Sequence, residues 1–212
     1  MTWSATPKIV SEVFKNLVWN IPNNENQIFL TFDDGPIPET TPYILSVLNE
    51  YSIKATFFCL GKNALYHYQL IEKILSNGHS IGSHGYAHLN GWKTNNREYY
   101  LDIEKAHEIL NVKIFRPPYG RIKPSQVKYL KKFYEIIMWD VLSLDYKTIL
   151  KPEDCVQNVL SSTNNGSIIV FHDSIKAEKN LKKSLHKSIE TLLERGFVFS
   201  TINYEELIIN DK

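Results

Sequence analysis

With 212 residues, 43% of them hydrophobic, the chain can bury one sizeable core and has little room for a second, so a single domain is expected. Lysine and arginine total 24 against 23 aspartates and glutamates, a balance that offers no general electrostatic hold on nucleic acid or an anionic membrane. Cys59 and Cys155 sit in a strand-like and a helix-like apolar run, the pattern of buried free thiols rather than of a disulfide framework.

The first residues lack the basic start, apolar stretch and small-residue cleavage site of a secretory signal. No apolar run approaches the ~20 residues needed to span a bilayer. The chain therefore reads as cytoplasmic, or as extracytoplasmic if a leader has been removed. Residues 1–26 are expected to form an extension, with a helix around Ile9 to Val18 and then a loop, that covers one end of a domain spanning residues 27–212.

From Gln27 onward, short apolar runs alternate with longer periodic segments, the signature of repeated βα units. A strand at Gln27–Phe32 precedes a helix at Thr41–Tyr51, where Ile44, Leu45, Val47 and Leu48 form the apolar stripe and Pro42 fits the first turn. The same alternation gives strand Ala55–Cys59, helix Leu65–Ser76, strand Ser80–Ser83, helix Asn96–Leu110, strand Ile114–Arg116 and helix Pro124–Lys132. It continues with strand Glu135–Trp139, helix Pro152–Thr163, strand Ser167–Phe171, helix Lys179–Arg195 and strand Phe197–Ile202. Asn-Gly, Asn-Asn-Gly and Arg-Gly breakers end several of the helices. Seven such strands predict a closed or nearly closed barrel.

The chemistry-bearing residues collect at the C-terminal ends of these strands. Asp33 and Asp34 follow the first, His84 the third, Arg116 the fourth, Asp140 and Asp145 the fifth, and His172 the sixth. In a βα barrel that edge gathers loops from every strand, so residues distant in sequence can build one pocket. Two adjacent carboxylates in Thr31-Phe-Asp-Asp-Gly-Pro36 repel unless a cation lies between them. In Ser83-His-Gly-Tyr-Ala-His88 the histidines are four apart, within reach of one ion, and with a strand-end carboxylate they complete a two-histidine, one-carboxylate set. Arg116 enters the rigid Arg116-Pro-Pro-Tyr-Gly120 path, where an always-charged guanidinium can orient an ionised aspartate. Gly166-Ser-Ile-Ile-Val-Phe-His-Asp173 delivers a single histidine from an apolar run.

Together these four ordered motifs resemble the polysaccharide deacetylase family with the NodB homology domain, carbohydrate esterase family 4, from Thr31 to Asp173. The resemblance implies a single-domain α/β fold, a distorted (β/α)7-type barrel. It further implies Asp33 as general base, Asp34, His84 and His88 as ligands of a divalent metal, Arg116 as the partner of Asp33, and His172 as general acid. Tyr119 matches the position whose backbone N–H binds the oxyanion, and Val170 the apolar residue beside the acetyl methyl. Zinc suits the ligand set, with cobalt, nickel or manganese as alternatives. The implied partner is an acylated amino-sugar glycan that loses an N-acetyl or O-acetyl group, and nothing in the chain bears on oligomeric state.

One stretch departs from the family pattern. Where the family often has Asp-Ser/Thr-x-Asp-Trp, this chain reads Trp139-Asp-Val-Leu-Ser-Leu-Asp-Tyr146, with Leu142 in place of the first Asp and Tyr146 in place of Trp. Either Asp140 or Asp145 then supports His172. Trp92, in Leu89-Asn-Gly-Trp-Lys-Thr94, either stacks on a sugar ring or packs against its own helix. Two rival functions share the same motifs: hydrolysis of another acyl group, as in a sugar deformylase or esterase, and glycan binding without catalysis.

Overall fold

The computed structural model describes residues 4–210. Strands form where the apolar runs lie: β1 (Gln27–Asp33), β2 (Thr56–Cys59), β3 (Ser80–Ser83), β4 (Ile114–Phe115), β5 (Glu135–Ile136), β6 (Val141–Leu142), β7 (Ile168–His172) and β8 (Val198–Phe199). They make one sheet in the order β5-β4-β3-β2-β1-β7-β6, with β8 beside the first residues of β1, and every pairing is parallel. Parallel neighbours need a crossover between them and cover on both faces. The crossovers are the helices α2 (Thr41–Glu50), α3 (Gly61–Tyr66), α4 (Tyr68–Ser76), α5 (Asn96–Leu110), α6 (Pro124–Leu130), α7 (Pro152–Ser162) and α8 (Glu178–Glu194). The result is the distorted α/β barrel that the family resemblance implies, open between β5 and β6.

The two-residue period of β1 separates two cores. Ile28, Leu30 and Phe32 face outward into a buried cluster with Ile44 and Leu48 of α2 and Leu181 and Leu185 of α8. Each fully buried side chain of this kind contributes about 1.5–3 kcal/mol. Phe29 faces the barrel interior, where it packs with Phe58, Ile114, Ile137 and Ile168. Thr31 and Asp33 share the side of Phe29 and so stand in sequence above this apolar floor. Cys59 and Cys155 are buried and free.

Three expected elements differ and one helix is added. The expected helix Leu65–Ser76 is two helices, broken at His67 (φ −127, ψ 43). The expected strand Glu135–Trp139 divides, because the chain crosses the open side of the sheet there. Its start pairs with β4 as β5, and the segment beyond it becomes β6, paired with β7 at the other lip. A further helix, α9 (Tyr204–Asn210), follows β8. The N-terminal helix is short, α1 (Lys8–Val13).

Where a cover over one end was expected, the N-terminal segment lies along the seam. Val18 N donates to Ile136 O (2.9 Å) and Met138 N to Val18 O (2.7 Å), while Leu142 N donates to Ser4 O (2.7 Å) and Ile21 N to Gly166 O (2.9 Å). These bonds satisfy strand-edge groups that the open sheet would otherwise leave bare. No helix among the described residues is long and apolar enough to cross a membrane.

Candidate active site

Strand register brings the site together. Asp33 ends β1 and is paired with His172, which ends β7. On its other side Asp33 pairs with Phe58 of β2, Cys59 pairs with Ser83, and Ser83 pairs with Phe115. Ser83 and Phe115 are the last residues of β3 and β4. His84 and Arg116, one residue later, therefore emerge close to the level of Asp33. A carboxylate, two imidazoles and a guanidinium meet on one rim although up to 139 positions separate them, counting 172 − 33.

The turn after β1 is held from three directions. Asn63 Nδ2 donates to Asp34 O (2.8 Å) and Leu60 N to Gly35 O (2.9 Å), which fixes Asp34 at φ 82. Beneath the turn the buried Asp173 accepts from the hydroxyls of Thr40 and Thr41. A Cβ on Gly35 would collide with the Asp173 carboxylate, so only glycine fits after the two aspartates. Burial pushes Asp173 up to about 7, against the two hydroxyl donors that favour its charge.

The two histidines are aimed at Asp34. His84 Nδ1 lies 2.8 Å from Arg116 O, and because a carbonyl can only accept, Nδ1 carries the proton and Nε2 is left bare. His84 Nε2 is 3.7 Å and His88 Nε2 3.2 Å from Asp34 Oδ1. That oxygen is buried and accepts no hydrogen bond of good geometry. Burial, aided by His88 and Arg116 and opposed by the two aspartates, pulls His84 down to about 4, so it is neutral at pH 7. Burial raises the Asp34 carboxyl, but the surrounding imidazoles outweigh it and hold the group below the usual carboxylate range. The ligating atoms of Asp34, His84 and His88 all lie within 4.8 Å of one another. Two imidazoles and an oxygen without a donor fit a borderline divalent cation with coordination positions to spare. From α5, Asp102 steadies the histidine loop, accepting from Tyr86 N (2.8 Å) and Ala87 N (2.9 Å).

Arg116 is wholly buried and crosses the barrel between the apolar floor and Asp33. Its Nη1 donates to Asp33 Oδ1 and to Thr31 Oγ1, each at 2.7 Å, and its Nη2 to Met138 O at 3.0 Å. Its guanidinium carbon stacks 3.9 Å from the Phe58 ring centre. One Asp33 oxygen is thus committed to Arg116, while Oδ2, 4.0 Å from His84 Nε2, faces the histidines.

Across the rim, His172 Nδ1 is 2.7 Å from Asp145 Oδ1, and His172 N donates to Asp145 Oδ2 at 2.9 Å. Asp145 is itself fully buried, and Asn180 Nδ2 donates to its backbone oxygen (3.0 Å). Asp140 lies elsewhere. It precedes β6 instead of following β5, and its carboxylate accepts from Ser167 Oγ (2.8 Å), Ile168 N (2.7 Å) and Asn20 Nδ2 (3.2 Å) at the opposite edge of the sheet. The expected catalytic placement of Asp140 is corrected: it ties β7 to the N-terminal segment.

A pocket of about 530 Å³ opens over these groups, with Val170, Leu142, Tyr119 and Trp139 in its walls. Val170 is buried with Leu142 and Leu144. Tyr119 is exposed at φ 61 and packs edge-on to His88, ring centres 4.4 Å apart. Trp92 does not line the pocket. Its indole N–H donates to Ile122 O (3.0 Å) and its face is covered by Arg121 at 4.1 Å, so it packs on the 121–122 segment instead of its own helix. Thr31, Asn63, Asp102 and Asn180 escape a reading of the sequence, because each acts through tertiary contacts that leave no spacing signal.

Comparison with known proteins bears on the family and the fold. The family model described as polysaccharide deacetylase matches residues 20–134. A peptidoglycan-N-acetylglucosamine deacetylase of Bacillus cereus is 38% identical over 189 residues, covering 85% of this chain and 68% of the relative. A crystal structure of a peptidoglycan N-acetylglucosamine deacetylase in complex with a benzamide ligand has a TM-score of 0.85 at 37% identity, covering 91% of this chain and 94% of that one. A carbohydrate esterase family 4 pseudoenzyme from Bacillus anthracis has a TM-score of 0.78 at 25% identity, covering 87% of this chain and 66% of the other.

Proposed function

The chain belongs to the polysaccharide deacetylase family, and on that footing we propose that it is a metal-dependent hydrolase that removes N-acetyl groups from a glycan of acetylated amino sugars. The observation that carries this reading is the arrangement of two opposed proton-handling pairs, Asp33 with Arg116 and His172 with Asp145, around the Asp34, His84 and His88 cluster in one pocket.

Asp34, His84 and His88 would hold a divalent ion, zinc in our reading with cobalt, nickel or manganese as alternatives, which supplies Lewis acidity to the amide carbonyl and to the attacking water. Asp33 is the base. Arg116 occupies one of its oxygens and leaves Oδ2 to take a proton on the side where the histidines converge. His172 is the acid. Because its Nδ1 is bound to Asp145, its Nε2 remains to protonate the departing sugar nitrogen, and burial against Asp145 charge settles in favour of a raised pKa of about 9. The Tyr119 backbone N–H would stabilise the developing oxyanion, and Val170 would receive the acetyl methyl. Amide nitrogen is a poor leaving group until protonated, so an acid that stays charged at neutral pH suits amide cleavage.

The test is acetate release from N-acetylglucosamine oligomers and from O-acetylated xylan, with enzyme stripped by chelator and then given zinc or cobalt. Metal-restored release from the oligomers is expected. Release from the xylan alone would move the assignment to an esterase, and silence on both with metal bound would move it to glycan binding without catalysis.

A further inference from the structure

The two histidines of the Asp34 cluster are held in different ways. His84 is pinned twice: its side chain is 3% exposed, and Arg116 O accepts its Nδ1 proton at 2.8 Å, which fixes both the tautomer and the direction of the ring. His88 has neither restraint. Its side chain is 26% exposed, and its Nδ1 has no hydrogen-bond partner among the described residues. Asp102 accepts from the Tyr86 and Ala87 amides, so it fixes the path of the loop and not the direction of the His88 ring.

A ring contact stands where that hydrogen bond is missing. Tyr119 meets His88 edge to face, with centres 4.4 Å apart and planes at 62°, and His84 lies on another side with its centre at 5.1 Å. Between these two rings His88 keeps Nε2 3.2 Å from Asp34 Oδ1. Tyr119 is delivered by a stiff turn, in which Gly120 N donates to Pro117 O (3.0 Å) and Arg121 N to Pro118 O (3.1 Å). Within it Tyr119 takes φ 61, a left-handed conformation uncommon for a residue with a bulky side chain. Such a conformation persists where the surroundings over-determine it, and it concentrates at functional sites. Core packing does not account for this ring, since Tyr119 is 58% exposed, and its one aromatic neighbour among the described residues is His88.

We propose that the Tyr119 side chain is a positioning residue for the metal, its ring holding His88 Nε2 toward the ion by packing, as the Arg116 carbonyl does for His84 by a hydrogen bond. The proposal rests on the metal-binding part of the deacetylase reading, and it gives the ring a task separate from that of the Tyr119 backbone N–H. The ring touches no reacting atom. Its effect falls on how tightly and how long the ion is held.

Zinc affinity is measured without glycan, by competition with a fluorescent chelator and by the rate of zinc loss to excess EDTA, for the parent, Tyr119→Phe and Tyr119→Asn. Asparagine accepts the left-handed backbone and removes the ring, whereas phenylalanine keeps the ring and removes only the hydroxyl. An edge-to-face pair is worth about 2- to 13-fold in an equilibrium constant. Tyr119→Asn should therefore bind zinc more weakly by that factor, mostly through faster loss, with Tyr119→Phe at the parent value. The urea midpoint of both should stay at that of the parent, because the ring is exposed. Parent-like affinity in Tyr119→Asn, an equal loss in Tyr119→Phe, or a loss accompanied by a lower urea midpoint would overturn the proposal. Because zinc is read without glycan, failure to release acetate strikes the deacetylase reading alone, while a parent that binds no zinc overturns both.

Discussion

Replacing Asp145 with asparagine should move the alkaline limb of the activity profile to lower pH. Asp145 is fully buried, its Oδ1 sits 2.7 Å from His172 Nδ1, and its Oδ2 accepts from the His172 backbone N–H. Burial disfavours the imidazolium, but the Asp145 charge and hydrogen bond, with smaller help from Asp34 and Asp33, raise His172 to about 9. A proton donor works only while protonated, so kcat/KM should fall as pH rises through that value. Losing an opposite charge at this range lowers a pKa by about 1–3 units. Taking ~2 units, the limb moves to about pH 7, and at pH 8 the protonated fraction drops from about nine-tenths to about one-tenth, a loss of roughly tenfold in kcat/KM. At pH 6 both forms stay mostly protonated and the loss is small. A cation at Asp34 would cancel the help from Asp33 and Asp34 but not that from Asp145, so the displacement survives in metal-loaded enzyme. The same pair stabilises the fold. With the folded pKa above the unfolded one, its contribution is complete below about 6.5 and disappears as pH rises through about 9. The assay is a pH profile of acetate release from pH 5 to 10, with metal content measured on each sample. An Asp145→Asn enzyme whose alkaline limb stays in place would refute the role given to this pair.

Asp33→Asn keeps the shape of the group but removes the base, and should lower kcat by about 10²–10⁴-fold while chelator competition shows metal affinity little changed; near-normal kcat would sink the assignment. Asp102→Asn leaves a weaker acceptor for the Tyr86 and Ala87 amides, and loosening the loop that orients the histidines should cost about 10–100-fold in metal affinity, read by titration with a fluorescent zinc competitor. An unchanged dissociation constant would show that the histidine loop holds itself. Arg116→Met strands a buried Asp33 without its partner, so unfolding in urea should show a loss of about 3–5 kcal/mol near pH 7. A loss under about 1 kcal/mol, the size of an exposed pair, would show that Asp33 does not depend on this partner.

Much of this molecule was legible because its long elements follow strong periods. The strand before Asp33 and the helix carrying Ile44, Leu45 and Leu48 stand out by pattern alone, and both come where expected. The short strands are another matter. β5 and β6 hold two residues each, too few for any alternation to register, and what makes them strands is the neighbour each finds across a lip of the open barrel. A continuous apolar run such as Ile136–Trp139 gives no sign that the chain crosses the seam there. The break at His67 is similarly invisible, since nothing in Leu65–Ser76 is a helix breaker.

That crossing also bears on the choice between Asp140 and Asp145. If Glu135–Trp139 is a single strand, Asp140 stands at its C-terminal end, on the rim with His84 and Arg116. Once the strand stops at Ile136 and a new one starts at Val141, Asp140 belongs to the start of β6 and faces Ser167 and the Ile168 amide. Asp145, beyond the C-terminal end of β6, takes the rim position and meets His172 there. Two aspartates five residues apart thus reach opposite edges of the barrel because the strand β6 lies between them. Residue type and order suffice to find the groups that carry charge at strand ends, since a carboxylate or imidazole leaving an apolar run is conspicuous. They do not suffice for the groups that hold those in place, because Asn63, Asp102 and Asn180 sit on helices where a polar side chain is ordinary, and only the packed barrel shows what each one binds.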